Sequence, residues 1–152
     1  MARAFDARFV EEVVARVASL PENALPRWGR MTRADLVGHL LAALEFTLGE
    51  FEADIPFQAG PWTRKLLKLL ILGLNVPMRR HVVFKDERGG ALPLLKREGT
   101  LEDLRRALDR TKETDLRPSG PHPYFGALTS DEWKRLHVKH IAHHLRQFGV
   151  PL

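Results

Sequence analysis

The stretch TSDEWKRLHVKHIAHHLRQFG, residues 129–149, combines a helical pattern with four of the seven histidines of the chain. At about 100° per residue, His137, His140 and His144 lie within about 60° of one another on a helical wheel. The flanking apolar residues are Trp133, Ile141 and Phe148, and the basic residues opposite are Arg135, Lys139 and Arg146. Three imidazoles therefore occupy the middle of the face that we expect to pack against the protein interior, with His143 near its boundary.

Histidine is not a typical core residue, because its buried nitrogen atoms need hydrogen-bond or metal partners. Three charged imidazoles on one buried face would also repel one another. A divalent metal ion removes both problems, because it binds neutral imidazole nitrogens and supplies the compensating charge. His140 and His144 are four residues apart, so their side chains meet over one helical turn. The alternative interpretation is a set of hydrogen-bonded core histidines, or partly exposed ones at the end of a bundle. For His137 we favour a filled core position over a proton shuttle or a substrate contact.

A third metal ligand is predicted on an earlier helix. His39 lies within MTRADLVGHLLAALEF, residues 31–46, which is apolar around most of its circumference. Taken alone, His39 fits a hydrogen-bonded core histidine. Together with His140 and His144 it completes a three-histidine site that leaves coordination positions open for water or substrate, as catalytic sites do.

Capping signals and apolar periodicity predict the other helices. Three stretches begin with a threonine followed three residues later by an acid, which is typical of helix N-termini, although only Thr129 with Glu132 matches the full capping box. Pro61 suits a first helical position, and the segment after it is apolar nearly all round, so it must be buried or cover something. The predicted helices are Asp6–Ser19, Arg33–Glu50, Pro61–Leu74, Leu101–Glu113 and Ser130–Phe148.

These elements predict an all-α architecture in one domain, residues 1–152. We expect a bundle of about four main helices with an additional short helix between the second and third. Residues 81–84 suit a short extended piece, and KDERGG, residues 85–90, suits a turn.

Composition limits the kinds of function. The 152 residues include no cysteine, which excludes disulfides, thiolate metal sites and a cysteine nucleophile. The longest apolar run, Leu69–Leu74, is far shorter than the roughly 20 residues of a membrane span, and residues 1–14 lack the pattern of an export signal, so we expect a cytoplasmic protein.

The net charge of +5 is modest, and the sequence lacks a nucleic-acid recognition motif. Basic residues cluster only around one apolar segment, as Arg64, Lys65, Lys68, Arg79 and Arg80.

Two stretches resemble a known superfamily. WGRMTRADLVGHLLAAL, residues 28–44, and HPYFGALTSDEWKRLHVKHIAHHLRQFGV, residues 122–150, are similar to the DinB-like (YfiT-like) metal-binding four-helix bundles, and most closely to a branch of unknown function. The family's ligand histidine on the second helix, its two histidines spaced by four on the last, and the glutamine that follows match His39, His140, His144 and Gln147. The common Arg-Gly before that glutamine is replaced here by Leu145 and Arg146.

The resemblance implies a zinc or nickel site and, by analogy with better-characterised relatives, a metal-dependent transferase. Such an enzyme activates a small thiol, or water, for attack on an electrophilic substrate. Candidate catalytic residues are His137, Tyr124 and Gln147, and Asp35 and Gln147 are candidate hydrogen-bond partners of the ligand imidazoles. The alternative is a non-enzymatic bundle with a structural histidine cluster, in which residues 61–80 make a dimer or membrane-surface contact. We expect a homodimer, because a two-fold partner would bury the apolar face left over on this segment.

Overall fold

Five α-helices account for most of the regular structure in residues 3–152, the part of the chain that the computed structural model describes. The helices are α1 (Ala7–Ala18), α2 (Arg33–Thr47), α3 (Pro61–Lys68), α4 (Leu101–Glu113) and α5 (Ser130–Gln147). Leu69–Gly73 continues α3 as a π-helical turn. These residues include no β-strand, which confirms the predicted all-α class.

The threonine signals act as stronger caps than the sequence pattern predicted. At the start of α2, α4 and α5 the threonine hydroxyl accepts the backbone N–H three residues on, and the acid accepts the N–H of the threonine. The expectation that only Glu132 would complete a reciprocal box was wrong. Asp35 and Asp103 complete it as well, because an aspartate carboxylate also reaches back over one turn.

The end of α2 differs from the predicted boundary. The helix stops at Thr47 instead of Glu50, because Gly49 takes a left-handed conformation with φ of 78°. The N–H of Glu50 bonds to the carbonyl of Glu45, and the N–H of Gly49 bonds to that of Phe46. This pair of bonds is a Schellman motif, which satisfies the last carbonyls of the helix and turns the chain away.

One main core is shared by α1, α2, α4 and α5, with α2 and α1 each contacting both α4 and α5. Helix α2 is buried on almost every side, which accounts for its apolar circumference. Fully buried side chains such as Phe9, Leu40 and Leu108 each stabilise the fold by about 1.5–3 kcal/mol. His39 on α2 and the histidines of α5 are thus held by two helices that are anchored in the same core.

The segment after Pro61 packs on one side only. Leu67, Ile71 and Leu72 lie in a second cluster with Trp133 and Leu136 of α5. No residue of α3 itself is fully buried, so of the two predicted alternatives, burial or a covering role, the structure favours the covering role. None of the helices described is long and apolar enough to cross a membrane.

Candidate metal centre

Three imidazoles meet where α2 faces α5. The Nε2 atom of His140 lies 2.9 Å from Nε2 of His39 and 3.1 Å from Nε2 of His144. One potential ligand atom from each ring lies within 4.8 Å of the others. Two nitrogens bound to one zinc ion at about 2.0–2.1 Å are themselves about 3–3.5 Å apart, so this spacing suits a shared ion.

The connection before α4 orients the His39 ring. Nδ1 of His39 donates to the carbonyl of Leu95 over 2.6 Å. The connection is held against α2 by the N–H of Arg97, which donates to the carbonyl of Gly38 over 3.0 Å, and by an ion pair between Arg97 and Glu45. The backbones approach so closely at Gly38 that a Cβ atom there would lie 2.3 Å from the Arg97 carbonyl oxygen. Glycine at this position therefore allows Leu95 to reach the ring.

Gln147 orients the His144 ring in a similar way. Its amide nitrogen donates to the carbonyl of Trp28 over 2.9 Å, which directs its amide oxygen to Nδ1 of His144 at 2.8 Å. An amide oxygen only accepts hydrogen bonds, so Nδ1 of His144 must carry the proton. Such partners of ligand imidazoles set both the tautomer and the ring orientation.

The tautomers leave the centre rich in lone pairs. With protons on Nδ1, the neutral rings of His39 and His144 both direct the lone pair of Nε2 towards His140. Nε2 of His140 has at most one proton, so it donates to only one of the two. One lone pair therefore has no proton to accept, and a cation at the shared point would satisfy all three nitrogens.

All three rings are kept neutral by their surroundings. Burial lowers the pKa of His39, with a partial offset from the Leu95 carbonyl. Burial, and then the neighbouring imidazoles, lowers the pKa of His140 well below 6.5. Burial and then the charge of His39 lower the pKa of His144 to about 3. Neutral imidazole is the form that binds metal, so protons compete little with an ion at neutral pH.

His137 lies one turn before His140 but outside the group of three. It is 3% exposed, and its Nε2 lies 2.8 Å from the hydroxyl oxygen of Thr47. The Thr47 hydroxyl donates to the carbonyl of Leu44, so it accepts from His137, and Nε2 of His137 carries the proton. His137 is therefore a hydrogen-bonded buried histidine, which is the interpretation that the sequence favoured.

An apolar cavity of about 100 Å³ extends from the histidine centre. His39 and His140 form part of its wall, and His122 and His137 form another part. The apolar lining residues include Ala43, Phe46, Ile55, Met78, Phe84, Trp133 and Leu136. A small apolar molecule in this cavity would lie beside the imidazole centre, among mainly apolar side chains.

The other candidate residues take different positions. Tyr124 packs against Phe84 with ring centroids 5.7 Å apart and is not among the residues found to line the cavity. Its backbone N–H donates to Nδ1 of His122 over 3.1 Å. His122 lines the cavity, although the sequence did not make it a candidate site residue. Asp35 caps α2 and pairs with Lys96, so the Leu95 carbonyl takes the role next to His39 that was considered for Asp35.

The buried histidines predict acid destabilisation of the metal-free protein. Burial, and then the charge of His137, lowers the pKa of His122 to about 3, and burial lowers that of His137 to about 4, against about 6.5 when unfolded. Between pH 6.5 and 4 these histidines bind protons in the unfolded chain but not in the folded chain. The free energy of unfolding of the protein therefore falls on acidification. The slope is at most about 1.4 kcal/mol per pH unit for each histidine.

Urea unfolding in EDTA between pH 7 and 5 measures this slope. His137→Gln should reduce it, whereas His81→Gln, at an exposed position, should leave it unchanged. An identical slope in wild type and His137→Gln would contradict the assignment to His137.

Comparison with known proteins places the chain in a family. A family model described as a protein of unknown function (DUF1569) matches residues 2–150, and the chain belongs to that family. Searches with this chain found no matching curated protein and no matching solved structure.

Proposed function

We propose that the chain is a DinB-like four-helix bundle whose His39, His140 and His144 hold a divalent metal ion, zinc or nickel. We further propose that it is a metal-dependent transferase or hydrolase, in which a small thiol or water attacks an electrophilic substrate bound in the apolar cavity. The observation that carries the proposal is the convergence of three Nε2 atoms whose tautomers leave unshared lone pairs facing one another.

The residues present fit a resident ion. Three neutral nitrogens form the donor set that zinc takes in open catalytic sites, and the Leu95 carbonyl and the Gln147 amide keep two of the rings oriented before any ion binds. A bound divalent ion supplies one kind of chemistry here, by lowering the pKa of a coordinated thiol or water so that the anion is available at neutral pH.

The rest of the site supports an open rather than a closed centre. A structural zinc site has four protein ligands. His137, on the same face of α5, uses Nε2 to bond Thr47 and is not part of the group of three. The cavity reaches His39 and His140 directly, so its apolar walls would hold a substrate beside the centre and exclude water. These features favour an enzyme over a non-enzymatic module with a structural metal.

The chemistry can be tested with a fluorogenic electrophile. Protein purified without an affinity tag is analysed for metal, and is then assayed with cysteine and monochlorobimane, and separately with a p-nitrophenyl ester for attack by water. In the first assay the thiol loses its proton to solvent, the C–S bond forms and chloride leaves. We expect metal-dependent turnover in at least one assay, reduced by more than about 100-fold in His144→Ala.

The matched control is His143→Ala, which removes a neighbouring imidazole that packs against Trp28 and is outside the group of three. It should retain turnover and metal. Undiminished turnover in a folded His144→Ala protein would refute the catalytic assignment. Loss of the fold in wild type on chelation would instead support the structural alternative.

A further inference from the structure

One segment, about a sixth of the chain, differs sharply from the rest in charge. Residues 61–85 contain six lysines and arginines and no aspartate or glutamate. The remainder of the chain contains 18 basic and 19 acidic residues, so this segment accounts for the whole positive excess. We call residues 61–85 the basic apolar segment.

The helix at the start of this segment has two apolar sides. Its inner side, with Leu67, packs on the second cluster under α5. Its outer side presents Trp62, Leu66 and Leu69, which follow the i, i+4, i+7 spacing of a single helical face. They are 81%, 54% and 55% exposed respectively. An exposed stripe of this kind marks an interaction surface, because a scattered set of surface apolar residues would not align on one face.

Few cations of the basic apolar segment have acidic partners, and one of them lies beside the exposed stripe. Among the described residues, Lys68 is the one cation of the segment that pairs with a carboxylate, that of Glu132 at 2.9 Å. The ammonium of Lys65 lies 5.0 Å from the Trp62 ring centroid, beside the apolar stripe. Arg79 is exposed further along the segment. Their charges are therefore available to a partner surface.

We propose that the basic apolar segment docks the protein on a membrane surface that contains anionic lipids. Trp62, Leu66 and Leu69 enter the headgroup boundary, and the surrounding cations contact lipid phosphates. Apolar side chains with a tryptophan on one face and cations around them are the pattern by which short helices bind in the plane of a bilayer. The docking requires no metal and stands apart from the proposed chemistry.

Charge distinguishes this partner from a second copy of the chain. A two-fold dimer through this face would bring together two copies of a segment in which Lys68 is the one cation paired with a carboxylate among the described residues, and the unpaired like charges would oppose association. The outward apolar stripe, with an exposed tryptophan at its N-terminal end, argues against nucleic acid as the partner, because protein contacts to nucleic acid are mainly polar and cationic. An anionic bilayer is complementary to both the charge and the apolar side chains.

Vesicle flotation of the whole protein tests the proposal. Vesicles of phosphatidylcholine alone are compared with vesicles containing about one third phosphatidylglycerol. Wild type should float with the anionic vesicles, with and without EDTA, and binding should weaken as salt rises. The double variant Lys65→Glu with Arg79→Glu should bind at least about tenfold more weakly. Trp62→Ser should also weaken binding, because it removes the largest exposed apolar side chain.

Matched controls lie elsewhere on the surface. Leu25→Ser alters another strongly exposed apolar residue, at 86% exposure, and Arg16→Glu reverses a charge on α1. Both should float like wild type. Equal binding to neutral vesicles, or wild-type binding by the double variant, would overturn the proposal. So would a dimer that dissociates in Trp62→Ser, or binding to duplex DNA without binding to vesicles.

Discussion

Replacing His140 with alanine is expected to abolish metal binding while leaving the helical fold in place. Nε2 of His140 lies 2.9 and 3.1 Å from the other two ligand nitrogens, so its removal leaves only His39 and His144 to hold an ion. Loss of a hydrogen-bond partner of a ligand typically costs 10–100-fold in metal affinity. Loss of a ligand itself should exceed that, and we expect a decrease of more than about 100-fold.

The measurement is metal stoichiometry by elemental analysis, together with titration by zinc in a competing chelator. Wild type should hold about one ion per chain, and His140→Ala none. His143→Ala is the matched control, since it removes a buried imidazole from the same helix outside the group of three. Equal zinc affinity in wild type and His140→Ala would show that the three histidines are not the ligands.

The free energy of unfolding of the same two proteins, measured with metal and in EDTA, distinguishes a catalytic ion from a structural one. Metal that binds only the folded state stabilises it by about 2.7 kcal/mol at 100 times Kd, and His140→Ala should lose that contribution. In EDTA the variant and wild type should unfold within about 1–2 kcal/mol of each other, because the apolar core of α1, α2, α4 and α5 is unchanged. A variant that is unfolded in EDTA, like chelated wild type, would favour a structural metal.

The parts of the site that lie on regular helices could be predicted from sequence. The spacing of His140 and His144, and their position on the inner face of α5, follow from helical periodicity and the apolar residues around them. His39 was a candidate because it is a histidine on a helix that is apolar around most of its circumference, but periodicity cannot align two helices, and the resemblance to a family supplied the further support for placing it with the other two. The structure brings the three rings together, and their function as ligands stays a prediction.

The irregular parts of the site could not be predicted. The carbonyl of Leu95 reaches His39 from a connection without regular structure, and a backbone carbonyl has no signature in the amino-acid sequence. The bond between His137 and Thr47 joins residues 90 positions apart on two helices. One signal was available, since glycine inside an apolar helix is costly and usually marks a close contact, and Gly38 directly precedes His39.

Gly38→Ala is therefore expected to destabilise the protein and to weaken metal binding together. The added Cβ would lie 2.3 Å from the Arg97 carbonyl oxygen, so the connection that contains Leu95 must move away from α2. Overpacking of this kind costs about 1–3 kcal/mol, which exceeds the gain of up to about 1 kcal/mol in helix propensity. Movement of Leu95 frees Nδ1 of His39, so the ring loses its orientation and zinc affinity should fall by about 10–100-fold.

Gly60→Ala provides the matched control, because a Cβ at Gly60 would meet no atom within 4 Å and its φ of −67° suits alanine. That variant should bind zinc like wild type and lose at most about 1 kcal/mol of stability, because alanine is a poorer N-cap residue than glycine. Urea unfolding in EDTA gives the packing cost at Gly38, and competitive zinc titration gives the change in affinity. If Gly38→Ala lost stability in EDTA but bound zinc as tightly as wild type, then the Leu95 carbonyl would not be what holds the His39 ring in place.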